Sequence, residues 1–337
     1  MSGNNKDIID FVIPWVDGND PEWIKEFNKY HTKQNNFTYR SWDNLKYWFR
    51  GVEKFTPWVN KIYFITWGHL PEWLDTEHPK LKIVKHSEYI DKECLPTFSS
   101  HPIEINMHRI KNLSEKFVYF NDDTFITSRI EPSRFFKHNL PCDCAVETIL
   151  STNDLSHIKL NNSIEINKHF IKQKQLIKNL SKWINYKYRI EYILRNLWLI
   201  PYPRYSSFLN FHMPQSYLKS SFTEVWDHCE DVMKTTSRSK FRDISNVNQY
   251  LIRNWQIVSG NFHPISMKDT INISVFDGNN PISKNKIEDA CRAITSNKYN
   301  MICLNDGYCS EELFNKAQIN INKAFDSILE YKSKFEK

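Results

Sequence analysis

The sequence predicts an α/β fold, a mostly parallel sheet flanked by helices, and three observations carry that prediction. Runs of β-branched and aromatic residues alternate with helix-spaced segments over roughly the first 125 residues. The first such run passes through a glycine turn directly into a proline-initiated helix. Two short apolar runs, Phe117 to Phe120 and Met301 to Leu304, both stop abruptly at Asn-Asp.

Ile8 to Val16 reads as the first strand, and Asp17-Gly18-Asn19-Asp20 as its turn. Asp20 caps the next helix and Pro21 takes its first position. Strand, glycine turn, helix is how many nucleotide-binding units begin. Neither a GxGxxG nor a GKS/GKT motif occurs, which disfavours a dinucleotide fold or a P-loop enzyme. Tyr39 to Phe55 places Trp42, Leu45, Trp48, Phe49 and Val52 at helical spacing, with Arg40 and Arg50 flanking that face. Pro57-Trp58 closes the helix. Lys61 to Thr66 is a second strand and Leu81 to Val84 a third. Leu95 to His101 is a loop of small hydroxyl residues including Ser100, and His108-Arg109 precedes the next strand.

That strand, Phe117 to Phe120, ends in Asn121-Asp122-Asp123. Ionised carboxylates at the mouth of a core are costly unless they meet water, a cation or a donor. Ligands bind at the carboxyl ends of strands in open α/β sheets. Two acids there suit a hard divalent cation, with substrate phosphates completing its shell. Met301-Ile302-Cys303-Leu304-Asn305-Asp306-Gly307 repeats the pattern and supplies a second strand-end acid.

Composition narrows the class. Hydrophobic residues make up 40% and charged residues 25%, the balance of an ordinary globular chain. The formal charge of +6 favours anionic partners such as phosphates or acidic membrane surfaces. Aromatic content is 15%, which fits a sugar-facing surface and a packed core equally well. Seven cysteines without paired spacing and a polar start, MSGNNKDIID, lead us to expect a cytoplasmic protein. No run is apolar enough to span a bilayer, so any membrane contact is expected to be peripheral.

From about Asn153 to Arg195 the character changes. Lys168 to Lys187 contains many lysines, no acid, and interleaved Phe170, Ile171, Leu176, Ile177, Leu180, Trp183 and Ile184. Such a basic amphipathic stretch suits an acidic polymer, a membrane surface or simply a solvated helix on the sheet. Phe211-His212-Met213-Pro214 follows, and Arg238, Lys240 and Arg242 gather before a helix from Asn246 to Trp255. The tail from Glu311 is an amphipathic helix expected on the surface.

Four blocks, taken together and in order, resemble the Stealth family of hexose-1-phosphoryl transferases. They are IDFVIPWVDGNDPEW; YRSWDNLKYWFRGVEKFTPWVNKIYFIT through LPTFSSHPIEINMHRIKNLSEKFVYFNDD; FHMPQ with its downstream FRD; and MICLNDG. That family includes bacterial capsular polysaccharide phosphotransferases and the animal N-acetylglucosamine-1-phosphotransferase that tags lysosomal enzymes. The resemblance implies catalytic roles for His212, Arg242 and Asp123, and a metal, Mg²⁺ or Mn²⁺, on Asp122, Asp123, Asn305 and Asp306. It implies that Trp15, Asp17, Gly18, Arg40, Arg50, Ser100, His108, Arg109 and Asn121 bind the nucleotide sugar. Asn44, Lys46, Trp67 and His69 depart from the family's usual residues and leave the sugar's identity open.

The fold so implied is a GT-A-like nucleotide-binding core with a basic helical insertion. Its expected parts are 1–150, the first part of the core; 151–205, the insertion or lid; 206–310, the catalytic second part; and 311–337, a C-terminal helix. The expected reaction moves hexose-1-phosphate, with an N-acetylhexosamine favoured, from a UDP-sugar to a hydroxyl of an oligo- or polysaccharide acceptor. A phosphodiester forms and UMP leaves. Contact with the inner face of the membrane or with capsule assembly machinery is expected to be peripheral, and no nucleic-acid partner is expected. The rivals are a metal-dependent glycosyltransferase that releases UDP and a non-catalytic carbohydrate-binding protein.

Overall fold

The computed structural model describes residues 8–30, 40–152, 156–276 and 283–337. The polar opening residues 1–7, Tyr39 and Asn153 lie outside them. The chain begins with β1 (Ile9–Trp15), α1 (Pro21–Asn28), α2 (Leu45–Phe55), β2 (Ile62–Thr66), β3 (Leu81–Lys85), α3 (Ser100–Ile105), β4 (Lys116–Tyr119) and β5 (Thr124–Ile126). As the sequence indicates, Asp20 caps α1 by accepting the Trp23 backbone N–H. The second helix is shorter than its spacing suggests, starting at Leu45. The hydroxyl loop becomes a helix from Ser100 onward, because the Ser99 side chain accepts the His101 backbone N–H and caps it.

After β5 come β6 (Phe136–Lys137), β7 (Leu140–Asp143) and β8 (Glu147–Thr148). Three helices follow, α4 (Ser156–His169), α5 (Lys172–Trp183) and α6 (Ile190–Leu199). The remainder is β9 (Ser207–Phe208), β10 (Gln215–Leu218), α7 (Lys219–His228), α8 (Glu230–Ser237), α9 (Tyr250–Ser259), β11 (His263–Pro264), β12 (Thr270–Ser274), α10 (Ser283–Thr295), β13 (Met301–Asn305) and α11 (Glu311–Ile328).

The main sheet has the order β10-β4-β1-β2-β3. β4, β1, β2 and β3 run parallel, and only the edge strand β10 is antiparallel. Its central strands are buried on both faces, and the two-residue period of a strand divides their side chains between two cores. Phe11, Ile13, Phe64, Val118 and Phe120 enter a core with α2, α10 and α11. Val12, Tyr63, Ile65, Phe117 and Tyr119 enter a core with α7 and α9. This is the α/β layering that the alternating runs predict.

α11 is more than a surface helix: Phe314, Ala317, Ile321 and Phe325 are buried. Beyond its end Phe335 and Glu336 fold back onto α2. The basic segment also has an anchored side. Lys172 is buried and ion-paired to Glu147 at 2.8 Å, so this lysine of the run is structural.

Two antiparallel registers position the site. β10 pairs with β4, with Gln215 opposite Tyr119, so the residues just before β10 arrive beside the end of β4. β13 pairs with β5, with Cys303 opposite Thr124, and Leu304 N–H donates to Asp123 O at 2.9 Å. Residues that follow β13 therefore emerge beside the same carboxylates.

Candidate active site

Asn121-Asp122-Asp123 occupies the turn between β4 and β5, and His212 reaches it from the loop before β10. His212 Nε2 lies 3.2 Å from an Asp123 carboxylate oxygen and 3.1 Å from Asn121 Nδ2. The His212 backbone has φ 53°, a left-handed conformation that a non-glycine residue adopts only when its surroundings impose it. Its N–H donates to Asn210 Oδ1 at 2.8 Å, which locks that turn. Burial alone would lower the His212 pKa, but the hydrogen bond and charge of Asp123 outweigh it and hold the imidazole above its ordinary value. Asp122 opens onto the clefts yet is enclosed by protein behind. That desolvation, together with the Asp123 charge, pushes its carboxyl up to about 7.

Two clefts meet at these acids. The larger, about 680 Å³, is bordered by Trp15, Phe98, Ser100, Glu104, Asn121, His212 and Arg242. The smaller, about 410 Å³, is bordered by Arg40, Trp42, Asp306 and Tyr308. Asp122 and Asp123 line both, with Trp15 and Val16. Asp123 and Asp306, far apart in sequence, thus border a single cleft. Asp306 is held there by Arg40, whose Nε donates to it at 2.7 Å and whose second nitrogen grips the other oxygen. The Arg40 guanidinium also lies over the Phe314 ring, 4.0 Å from its centre.

Asp123 and His212 belong to a group of donors that could hold a metal ion. One Asp123 oxygen is buried without a protein partner, and an orphaned carboxylate oxygen beside a second acid invites a divalent ion. Cys303 also approaches, its sulfur within 4.8 Å of the Asp123 and His212 donor atoms. Burial and the Asp123 charge push its thiol pKa far up, so it stays a neutral thiol rather than a thiolate ligand.

Other expected site residues stand apart from the clefts. Arg50 is a correction: its guanidinium is buried against Glu336 at 2.8 and 2.7 Å and donates to Leu329 O, which leaves nothing for a ligand. Arg109 is spent on Asp91 at 2.8 Å and on the face of Trp226. His108 is half-buried and packs against the rings of Phe222 and Trp226. Asp17 and Gly18 form a turn beside the clefts rather than their lining; Asp17 N–H donates to His69 Nε2 at 2.7 Å. Asn305 donates to Asn272 Oδ1 at 2.6 Å and leaves the cleft to Asp306. Arg242 does border the larger cleft, is exposed, and has no hydrogen-bond or ion-pair partner among the described residues.

Sequence reasoning missed Glu104 and His101. Glu104 is buried on the larger cleft's floor, accepts from Tyr119 OH at 3.1 Å, and has its carboxyl pushed up by burial. His101 lines the same cleft, and burial, reinforced by the Arg242 charge, drives it down to about 4. The available signal was the capped turn at Ser99, which makes Ser100 and Glu104 an i,i+4 pair on one helical face.

Comparison with known proteins adds lineage to this geometry. Residues 9–34 match the family model described as Stealth protein conserved region 1, and residues 38–142 match conserved region 2. The chain is 44% identical to a capsular polysaccharide phosphotransferase, WcwK, of Streptococcus pneumoniae, covering 99% of each chain. It is 37% identical to a receptor polysaccharide phosphotransferase, WefC, of Streptococcus gordonii, covering 97% of this chain and 98% of that one. Among solved structures, the galactosyltransferase LgtC in complex with donor and acceptor sugar analogues matches at a TM-score of 0.41 and 8% identity, over 95% of this chain and 96% of that one. A likeness that slight carries no argument about mechanism.

Proposed function

The chain belongs to the Stealth family, and from that premise we propose that it transfers hexose-1-phosphate from a UDP-sugar to a hydroxyl of a growing capsular or cell-surface polysaccharide. Polysaccharide phosphotransferase is the activity its relatives are named for. The observation that carries the reading is the wall of Asp122 and Asp123 shared by two clefts, with His212 at its edge. In-line displacement at phosphorus needs the attacking and leaving oxygens on opposite sides of one point. Clefts that meet at a pair of acids supply that arrangement.

In this reading the larger cleft takes the donor. Trp15 and Phe98 line it with apolar surface for the base or sugar, and Arg242 offers its planar fork to the phosphoryl oxygens. His212, made more basic by the Asp123 carboxylate that faces its Nε2, takes the proton of the attacking hydroxyl on its other ring nitrogen. Asn121 contacts the ring, and Asn210 fixes the backbone that carries it. Asp122 and Asp123, with Asp306 at the rim, would hold Mg²⁺ or Mn²⁺, and such an ion offsets the charge of the diphosphate and of departing UMP. The phosphorus next to the sugar is attacked, a phosphodiester forms, the bond to UMP breaks, and the sugar keeps its anomeric configuration. Helix α4 borders the larger cleft through Ile158, Lys159 and Asn162, which supports a lid-side role for α4 within the segment 151–205. The setting we propose is cytoplasmic, in peripheral contact with the membrane.

The test is a panel of UDP-sugars incubated with Mg²⁺ and short glycan acceptors, with the nucleotide product separated by chromatography. This reading expects UMP. Release of UDP would assign the protein to glycosyl transfer, and glycan binding with no nucleotide release to a non-catalytic role.

A further inference from the structure

The apolar stripe of α6 faces outward. Ile190, Leu194, Leu197 and Trp198 are all exposed, and their spacing puts them on one helical face. Asn196 and Leu199 form the buried side. Trp198 leaves 77% of its surface accessible and Leu194 57%, although a large apolar side chain gains about 1.5–3 kcal/mol from full burial. The adjoining α5 and its N-terminal flank add exposed Ile171, Ile177 and Leu180.

Three hydrogen bonds stitch these helices together. Lys172 Nζ donates to Leu199 O at 2.7 Å, Gln173 Nε2 to Tyr202 O at 3.0 Å, and Asn196 Nδ2 to Trp183 O at 2.8 Å. The start of α5 therefore lies beside the end of α6, and each carries exposed apolar side chains, Ile171 at the one and Trp198 at the other. Exposed apolar side chains gathered on one helix face and on the helix bonded to it mark an interaction surface.

Charge selects the partner. Lys172 and Lys182 turn inward, onto Glu147 and onto backbone carbonyls. Lys174, Lys178, Arg195 and Arg204 are exposed with no ion-pair partner among the described residues. Exposed leucine, isoleucine and tryptophan rimmed by free cations form the composition of an interfacial helix on acidic lipid. A soluble anionic polymer would be served by the cations alone and leaves the apolar stripe without a purpose. No helix among the described residues is long and apolar enough to cross a membrane, so the contact is with a surface.

We infer that the outward face of α6, with the adjoining part of α5, docks on an anionic lipid bilayer. The inference deepens the peripheral setting proposed above, and its test reads lipid binding without turnover. The full chain is floated with vesicles of phosphatidylcholine containing phosphatidylglycerol and, in parallel, with phosphatidylcholine alone. The protein is expected to rise with the anionic vesicles. Leu194→Ser with Trp198→Ser should weaken partitioning by at least about tenfold. Lys174→Glu with Lys178→Glu should remove the preference for anionic lipid by a similar factor at low salt. Both variants should keep the wild-type melting temperature and turnover on a soluble acceptor. The docking role is overturned if the wild-type protein stays below the vesicles or if both variants float like it. It is equally overturned if the protein is dimeric without lipid and Leu194→Ser with Trp198→Ser makes it monomeric, since the stripe then joins two copies. A protein that floats as expected but releases no UMP supports the docking surface and counts against the proposed reaction.

Discussion

His212 Nε2 stands 3.2 Å from the Asp123 carboxylate because antiparallel pairing sets the start of β10 beside the end of β4. The pair acts as a unit, so its removal should not be additive. Asp123→Asn and His212→Ala should each lower kcat by about 10²–10⁴-fold, and the double variant should fall little further. Steady-state UMP release, with circular dichroism as a check on folding, measures this. Independent, multiplying losses would show that the two groups do not work together.

The two arginines separate binding from folding. Arg242 faces the larger cleft without a protein partner among the described residues, so Arg242→Lys should lower kcat/KM by at least about tenfold and leave stability within about 0.5 kcal/mol. Arg50 is buried against Glu336, so Arg50→Ala should cost about 3–5 kcal/mol, because it strands the Glu336 carboxylate. Urea unfolding and initial rates on the same preparations compare them. A stable Arg50→Ala protein with a raised KM would return Arg50 to the binding site.

Asp306 is gripped by Arg40 beside the two strand-end acids. Chelation should abolish turnover, and Mg²⁺ or Mn²⁺ should restore it. Asp306→Asn should raise the cation concentration needed for half-maximal rate by about tenfold or more. An unchanged cation requirement would remove Asp306 from the metal shell.

Desolvated imidazoles set a pH dependence of stability. Desolvation drives His86, His101 and His108 each down to about 4. The unfolded chain then binds more protons than the folded one at any pH between about 6.5 and 4. Stability from these groups is complete above that window and is lost as pH falls through it. His108→Gln, neutral at every pH, should flatten the decline in urea midpoint between about pH 7 and pH 5. An equally steep decline would mean that His108 is already protonated in the folded protein.

Much of this architecture was legible in the sequence because it rests on local rules. β1, β2 and β4 are visible as β-branched and aromatic runs, and Asp20-Pro21 announces a helix. The parallel sense of β4, β1, β2 and β3 agrees with the strand–helix alternation, whereas the strand order and the antiparallel edge strand β10 were not legible in it. Asp122, Asp123 and Asp306 could be singled out because acids at apolar strand ends need an explanation. What the sequence could not express was the use of each charge after folding. Arg40 and Arg50 flank one predicted helix, yet Arg40 borders a cleft and Arg50 is neutralised by Glu336, a partner 286 residues away. Glu104 is hidden for the opposite reason: its burial comes from tertiary packing of a one-turn helix whose cap resembled a loop.

The central claim concerns which phosphorus travels. A UDP-sugar labelled with ³²P at the phosphate next to the sugar, incubated with the enzyme, a divalent cation and acceptor glycan, should leave its label in the polymer as a phosphodiester and give unlabelled UMP. Label recovered in UDP, with an unlabelled glycan product, would contradict the account.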